Sequence, residues 1–168
     1  MERSARGQPG NVTSSLDELD RRLLAAFTAA PRLSVLEASR RLGVARGTVQ
    51  ARLERLERRG VVTGWGPQLA PAAMGYAVTA FVTLEIRQGR GSGRVLAHLR
   101  EIPQVLEAHT ITGPGDLLCR VVARDNADLQ DVLDQVVSNG DVERSSTVIA
   151  LRTAIEPDAS RLVGPTER

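Results

Sequence analysis

Length, composition and charge limit what this chain can be. Its 168 residues, 42% of them hydrophobic, are enough for one ordinary domain or two small ones with a real core. The net charge of +2 hides an asymmetry, because residues 1–64 carry 12 arginines against 7 acids whereas residues 65–168 carry 10 arginines against 13 acids. This split favours two domains, with any polyanion binding the first.

Cysteine and histidine are too few for a disulfide framework or a zinc site. Cys119 is the only cysteine, and the two histidines, His98 and His109, complete no ligand set with it. No segment has the length and apolar character of a signal peptide or a membrane span. We therefore expect a cytoplasmic protein with no metal, no cofactor and no membrane partner.

Residues 1–14 are polar and predict a disordered arm, and helix signals begin directly after them. Ser15 and Glu18 fit a capping box, so the first helix is predicted to begin near Leu16. Pro31 ends this segment. Apolar residues recur at spacings of three and four and form one stripe: Leu16, Leu19, Leu23 and Phe27.

Two further helices are predicted in the basic half. Ser34 is the predicted N-cap of residues 35–42, and Gly43 marks the end of that helix. The next helix is predicted over residues 46–59, with Gly60 as its stop and with an inward face made of Val49, Leu53 and Leu56. Two helices joined by a tight glycine turn form a helix-turn-helix, here over residues 15–64, whose last helix would enter a DNA major groove.

Residues 61–76 are rich in Gly, Pro and Ala, and they predict a short strand followed by a linker at 65–76. Trp65, the only tryptophan, is interpreted as a dimer or linker anchor.

Beyond the linker the apolar period changes to two. Strands are predicted at residues 77–86, on either side of the turn GPGD (113–116), and at 142–151. Helices are predicted at residues 92–102 and after Asn126, which we expect to act as an N-cap. The order is strand, helix, strand, strand, helix, strand, which is the ferredoxin-like arrangement. The chain is thus predicted to be α+β, with this second domain over 77–155 and a tail over 156–168.

This combination resembles the Lrp/AsnC (leucine-responsive and asparagine-operon, or feast/famine) family of transcriptional regulators. The resemblance spans roughly residues 16–155, and it implies a sequence-specific DNA-binding regulator of the nucleoid that responds to a small effector, which we expect to be an amino acid. The segments that carry it are LDELDRRLL (16–24), RLS (32–34), RLGVARGTVQARLERLERRGVV (41–62), TGPGDLL (112–118) and VERSST (142–147).

Candidate DNA contacts are the outward residues of the helix-turn-helix. The first turns of the third helix are expected to reach base edges, while arginines elsewhere bind phosphate. The candidates are Arg32, Ser34, Arg46, Gly47, Thr48, Gln50, Ala51, Arg52 and Arg55. A merely solvated helix is the alternative, with i,i+4 pairs such as Glu54–Arg58 worth about 0.3–0.5 kcal/mol each. Ala45 stands where the family usually has a Ser cap, and Gly47 weakens the first turn, so we expect a frayed start that orders on DNA.

TGPGD would by itself be interpreted as a hairpin turn. The resemblance implies more, because Gly113 and Asp116 match the family's turn of Gly, two variable residues and Asp, which borders the effector pocket between neighbouring dimers. Glycine lets a ligand approach the backbone, and a carboxylate can accept from an ammonium group. The implied effector-binding residues are Gly113, Pro114, Asp116, Ser145 and Thr147.

The resemblance also implies self-association, as a homodimer that assembles to a tetramer or octamer, and a palindromic double-stranded DNA operator. Two other classes stay open. One is an enzyme similar to siroheme decarboxylases, for which the sequence offers no recognisable nucleophile–base pair or metal set, so we expect no catalytic residues. The other is an architectural DNA-binding protein with little sequence preference.

Overall fold

Two compact units make up the chain in a computed structural model that describes residues 16–87 and 91–163. Among the described residues, the first unit contains 16–67 together with 157–163, and the second contains those between Gln68 and Glu156. The predicted arm at 1–14 and the predicted cap Ser15 lie outside the described residues.

Three helices build the first unit: α1 (Glu18–Ala29), α2 (Val35–Leu42) and α3 (Arg46–Arg58). The N-cap of α1 is Asp17 and not Ser15, because the Asp17 carboxylate accepts from the Asp20 N–H at 2.9 Å and Asp20 returns the bond. An aspartate at this position does the same work as a serine and places the helix start two residues later than predicted.

The core of this unit joins the inner faces of all three helices. Side chains predicted to point inward are buried on α1 and α3, whereas Leu16 and Leu19 are only half-buried. One buried cluster consists of Leu23, Phe27, Ala38, Val49 and Leu53. Leu56 is fully buried as well.

Residues 61–70 contain no strand, so the short strand predicted after α3 is wrong. Gly60 instead adopts a left-handed conformation with φ of 68°, and the N–H of Val61 donates to the Leu56 carbonyl at 2.9 Å. This closure ends α3 and leaves the following residues as irregular chain. A short 3-10 helix, Pro71–Met74, follows in the second unit.

Four strands and two helices build the second unit. In chain order they are β1 (Val78–Ile86), α4 (Gly91–Arg100), β2 (Val105–Thr110), β3 (Leu117–Ala123), α5 (Asn126–Val137) and β4 (Val142–Ala150). The sheet order is β2-β3-β1-β4 and each neighbouring pair is antiparallel, which confirms the predicted ferredoxin-like α+β fold. The N-cap of α5 is Asp125, which accepts from the Asp128 N–H, and not Asn126.

One face of the sheet carries the core of the second unit. Alternate residues of β1 (Ala80, Val82, Leu84) and of β3 are buried against α4 and α5. The opposite face exposes apolar side chains, among them Phe81 and Val148, which are register partners on β1 and β4.

A second 3-10 helix, Ala159–Val163, lies in the segment predicted to be a tail, and it packs against α1 within the first unit. None of the helices within 16–87 and 91–163 is long and apolar enough to cross a membrane.

Candidate DNA interface and effector turn

The turn between α2 and α3 is held by local hydrogen bonds. Ser34 caps α2 as predicted: its Oγ accepts from the Glu37 N–H at 3.2 Å, and the Glu37 carboxylate accepts from the Ser34 N–H at 2.9 Å. The Ser34 hydroxyl also donates to Glu37 Oε2 at 2.6 Å, and this bond, together with the one from the Ser34 N–H, lowers the pKa of Glu37. Gly43 takes the left-handed conformation that ends α2, and the Ser39 hydroxyl donates to the Val44 carbonyl at 2.6 Å. Arg32 is exposed in the turn before the cap.

The first turns of α3 form an exposed edge. Each of the five residues predicted to face the groove here is exposed: Arg46, Gly47, Thr48, Gln50 and Ala51. We call these five residues the reading edge. The helix begins at Arg46, and Ala45 supplies no side-chain cap, so the frayed start that orders on DNA stays a prediction. The Gln50 amide donates to Glu54 Oε1 at 2.9 Å, one turn further along.

Arg52 and Arg55 differ from the reading edge because they pair inside the first unit. Arg55 Nη2 donates to Asp20 Oδ2 at 2.6 Å, and Arg52 Nη1 donates to Asp20 Oδ1 at 3.2 Å and also to Asp17. The Asp20 side chain has no exposed surface, and it is the one buried charged residue in the described ranges. The phosphate contacts predicted for these two arginines therefore compete with partners in the same chain.

The four side chains form an aspartate–arginine cluster of Asp17, Asp20, Arg52 and Arg55. The hydrogen bond from Arg52 is the main reason that the pKa of Asp17 falls from 3.8 to about 2. Both aspartates were missed in the sequence, where they looked like acids placed at a helix start. A signal was present, since Asp20 lies three residues before Leu23 and seven before Phe27, on the buried side of α1.

The turn between β2 and β3 needs glycine at two positions. Gly113 and Gly115 have φ of 118° and 125°, on either side of Pro114, and the Gly115 N–H donates to the Gly113 carbonyl at 2.9 Å. At Gly115 a Cβ would lie 2.5 Å from the Thr83 Cγ2 and 3.2 Å from the Leu84 carbonyl oxygen. The sequence indicated a hairpin turn, but it did not indicate this close approach of Gly115 to β1.

Asp116 fastens this turn to β1. Its N–H donates to the Leu84 carbonyl at 2.8 Å, and its Oδ2 accepts from the Ile86 N–H at 2.7 Å. Its Oδ1 accepts no hydrogen bond from any residue within 16–87 or 91–163. One carboxylate oxygen thus fastens the turn to β1, and the other accepts no hydrogen bond from the described residues.

Ser145 and Thr147 lie on the edge strand β4, opposite Leu84 and Val82 of β1. In-register partners project to the same face, so both hydroxyls lie on the face of the sheet that carries the helices. Strand β1 separates them from the turn by two strand spacings, about 10 Å. Both groups therefore border the same end of β1 from opposite sides, and they do not share one cleft within a single chain.

Trp65 anchors the start of the linker to the first unit. Its ring packs edge-on against Phe27 with centroids 5.3 Å apart, and its Nε1–H donates to Glu57. Elsewhere, burial raises the pKa of the Cys119 thiol to about 11, which makes it a packing group. The described ranges contain no cluster of three His, Cys, Asp or Glu side chains suited to a metal ion.

Comparison with known proteins agrees with this architecture. Residues 16–63 match a winged helix-turn-helix DNA-binding family, and residues 79–159 match the Lrp/AsnC ligand binding domain. The HTH-type transcriptional regulator AldR of Mycolicibacterium smegmatis is 31% identical over 146 residues, which is 84% of this chain and 85% of AldR.

Solved structures of regulators are similar over almost their full length. Escherichia coli AsnC superposes with a TM-score of 0.79 and 26% identity, covering 87% of this chain and 99% of AsnC. A Neisseria meningitidis transcriptional regulator in complex with L-methionine superposes with a TM-score of 0.75 and 27% identity, over 87% of this chain and 96% of that one. The chain therefore belongs to the Lrp/AsnC family, as a DNA-binding transcriptional regulator that responds to a small effector.

Proposed function

We propose that this regulator recognises its operator through the reading edge of α3 and senses an amino acid at the turn of residues 112–116. The observation that carries the proposal is the exposure of Arg46, Thr48 and Gln50 together on the first turns of α3. Arginine and glutamine are suited to guanine and adenine edges in the major groove, and the threonine hydroxyl suits several bases. Arg32 and the α2 N-terminus serve as backbone contacts in this proposal.

A gel-shift titration tests the DNA half of the proposal. The probe is the duplex that the protein enriches from a random pool, compared with a random-sequence duplex of the same length. Arg46→Ala or Gln50→Ala should cost about 1–3 kcal/mol on the enriched duplex and much less on random DNA, since a base contact is lost. Arg32→Ala should weaken both duplexes alike. A wild-type protein that never prefers the enriched duplex would instead act as an architectural protein.

An amino-acid effector is supported by the chemistry of the turn. Gly113 and Pro114 are exposed, and the open Oδ1 of Asp116 suits an ammonium group. L-methionine is bound to the Neisseria relative, so it is the first compound to test. Ser145 and Thr147 are proposed as ligands from a neighbouring subunit, because β1 separates them from the turn of their own chain.

A thermal-shift screen against the twenty amino acids tests this site. An effector that binds only the folded protein raises the midpoint by mass action. Asp116→Asn is the informative variant, because the Asn carbonyl can still accept from the Ile86 N–H while the negative charge is gone. The variant should fold normally and lose the shift. If its shift equals that of the wild type, the effector binds elsewhere.

Self-association is supported by the uncovered face of the sheet. Phe81 and Val148 are 40% and 66% exposed and adjacent on the face without helices. A second copy would bury them and would present two reading edges to a palindromic operator. Phe81→Glu should shift the mass measured by light scattering toward the monomer and weaken operator binding. An unchanged mass would place the interface on another surface.

A further inference from the structure

The aspartate–arginine cluster lies on the flank of α3 beside the reading edge. Arg52 and Arg55 are three residues apart and therefore project from the same side of the helix. Their side chains are 28% and 39% exposed, and Arg55 Nε is buried without a hydrogen bond to any residue in the described ranges. These guanidinium groups lie against α1, so they could bind DNA phosphates only by leaving their aspartate partners.

Asp20 would lose its hydrogen bonds from Arg52 and Arg55 if these arginines moved to DNA. Its Oδ2 accepts from Arg55 at 2.6 Å and from the Asp17 N–H at 3.3 Å, while Oδ1 accepts from Arg52 at 3.2 Å. It is fixed in the first turn of α1 with no exposed surface. Moving the arginines to phosphate would leave a buried carboxylate without its counter-charges, which is costly. A phosphate at the protein surface offers the arginines a weaker, more solvated partner.

The rest of the contact between α1 and α3 is apolar. Leu23 on α1 and Val49 and Leu53 on α3 are buried in one cluster. Apolar contact is not directional and tolerates small rotations of one helix on another. Charge-assisted hydrogen bonds from two guanidinium groups to one fixed carboxylate are directional. The cluster therefore determines how α3 is rotated about its axis, and so where the reading edge points.

We propose that Arg52 and Arg55 are positioning residues that stay bound to Asp17 and Asp20 when the protein binds DNA, and that this aspartate pair orients the reading edge. This inference rests on the reading edge proposed above and replaces the expected phosphate role of the two arginines. It adds both aspartates to the residues that determine operator preference, although neither touches DNA.

Salt dependence separates positioning from phosphate binding. Each phosphate contact contributes about 0.9 to the slope of log affinity against log salt concentration. We expect Arg52→Gln and Arg55→Gln to keep the wild-type slope on random duplex, and to lower the ratio of enriched-duplex to random-duplex affinity about tenfold. A slope smaller by about 1 would overturn the proposal in favour of a phosphate contact. An unchanged ratio in folded protein would overturn it in favour of simple stabilisation.

Asp17→Asn is the second variant, chosen because Asp17 is half exposed and its loss is mild. Positioning predicts a lower affinity ratio with no gain on random duplex. If Asp17 merely restrains phosphate-binding arginines, the variant should bind every duplex more tightly and with a steeper slope, which would also refute the proposal. Trp65 fluorescence and circular dichroism verify folding. A wild type without any preference for the enriched duplex would indicate failure of the proposed function instead.

Discussion

The two units of this regulator differ in how their interiors are held. The second unit has fourteen buried residues in one cluster, all apolar or Cys119, between a sheet and two helices. The first unit has a cluster of five and adds the buried Asp20 with its two arginines. Burial of a large apolar core stabilises a fold without requiring specific directions of contact. In a small core, ion pairs with hydrogen bonds add contacts that fix how the helices are oriented. The unit that must present a surface to DNA is thus the one whose geometry depends on charge.

Removal of core volume should have the largest effect, and it should be confined to the unit that loses it. Leu84→Ala in the second unit should lower the free energy of unfolding by about 3 kcal/mol, because it leaves a cavity between sheet and helices. The single tryptophan, Trp65, lies in the first unit, and the single tyrosine, Tyr76, lies in the second. Their fluorescence therefore reports the unfolding of each unit separately. Leu23→Ala is the matched change in the first unit. If both variants moved the Trp65 signal equally, the two interiors would not be separate.

Loss of the buried charge should come next. Asp20→Asn keeps the volume but removes the counter-charge of Arg52 and Arg55, and we expect it to cost about 2 kcal/mol. The cost stays below that of a fully buried pair because both arginines are partly solvated. Urea unfolding followed by Trp65 fluorescence measures it. A cost near zero would mean that the apolar cluster alone holds α1 and α3.

Substitutions at the helix caps should change the stability of the first unit by smaller amounts, and in opposite directions. Ser34→Ala removes a capping box and should destabilise by about 1 kcal/mol. Ala45→Ser supplies a side-chain acceptor where α3 has none and should stabilise by up to about 1 kcal/mol. In thermal unfolding, the midpoint of Ser34→Ala should lie below that of the wild type, and the midpoint of Ala45→Ser should lie above it. Equal shifts in one direction would contradict the assigned cap positions.

Acid should weaken the first unit through Asp17, and this is the smallest effect that we expect. The Arg52 hydrogen bond lowers the pKa of Asp17 to about 2 from 3.8, so this carboxylate stabilises the folded state above pH 4. That stability is lost as the pH falls from about 4 to about 2. The Trp65 thermal midpoint should therefore drop less steeply over this window in Asp17→Asn than in wild type. A parallel drop would exclude Asp17 as the titrating group.

Most of the fold could be predicted from local sequence patterns. Apolar spacing gave the three helices of the first unit and the strand order of the second, because period and turn chemistry depend on neighbours in sequence. Cap positions were less certain, since Ser15 and Asn126 each lie within two residues of an aspartate that caps instead. Exposure of the reading edge followed from the same helical period.

Partners distant in sequence could not be predicted in the same way. Arg52 reaches Asp17 across 35 residues, and Gly115 of the turn approaches Thr83 on β1. Neither contact leaves a local pattern in the sequence. The arginines therefore looked free for phosphate, and the glycine looked like an ordinary turn residue. Both are positions where tertiary structure gives a common residue a specific task.

Because of the 3-10 helix at Ala159–Val163, the first unit is built from two segments that are synthesised at different times. The unit draws on both sides of residues 68–156, because this helix packs on α1. Domains made from one continuous segment can fold as they leave the ribosome, usually from the N-terminus onward. Here all of the second unit is synthesised before the 3-10 helix that completes the first unit. A chain cut before residue 157 would therefore keep every element of the second unit but lose the 3-10 helix that packs on α1.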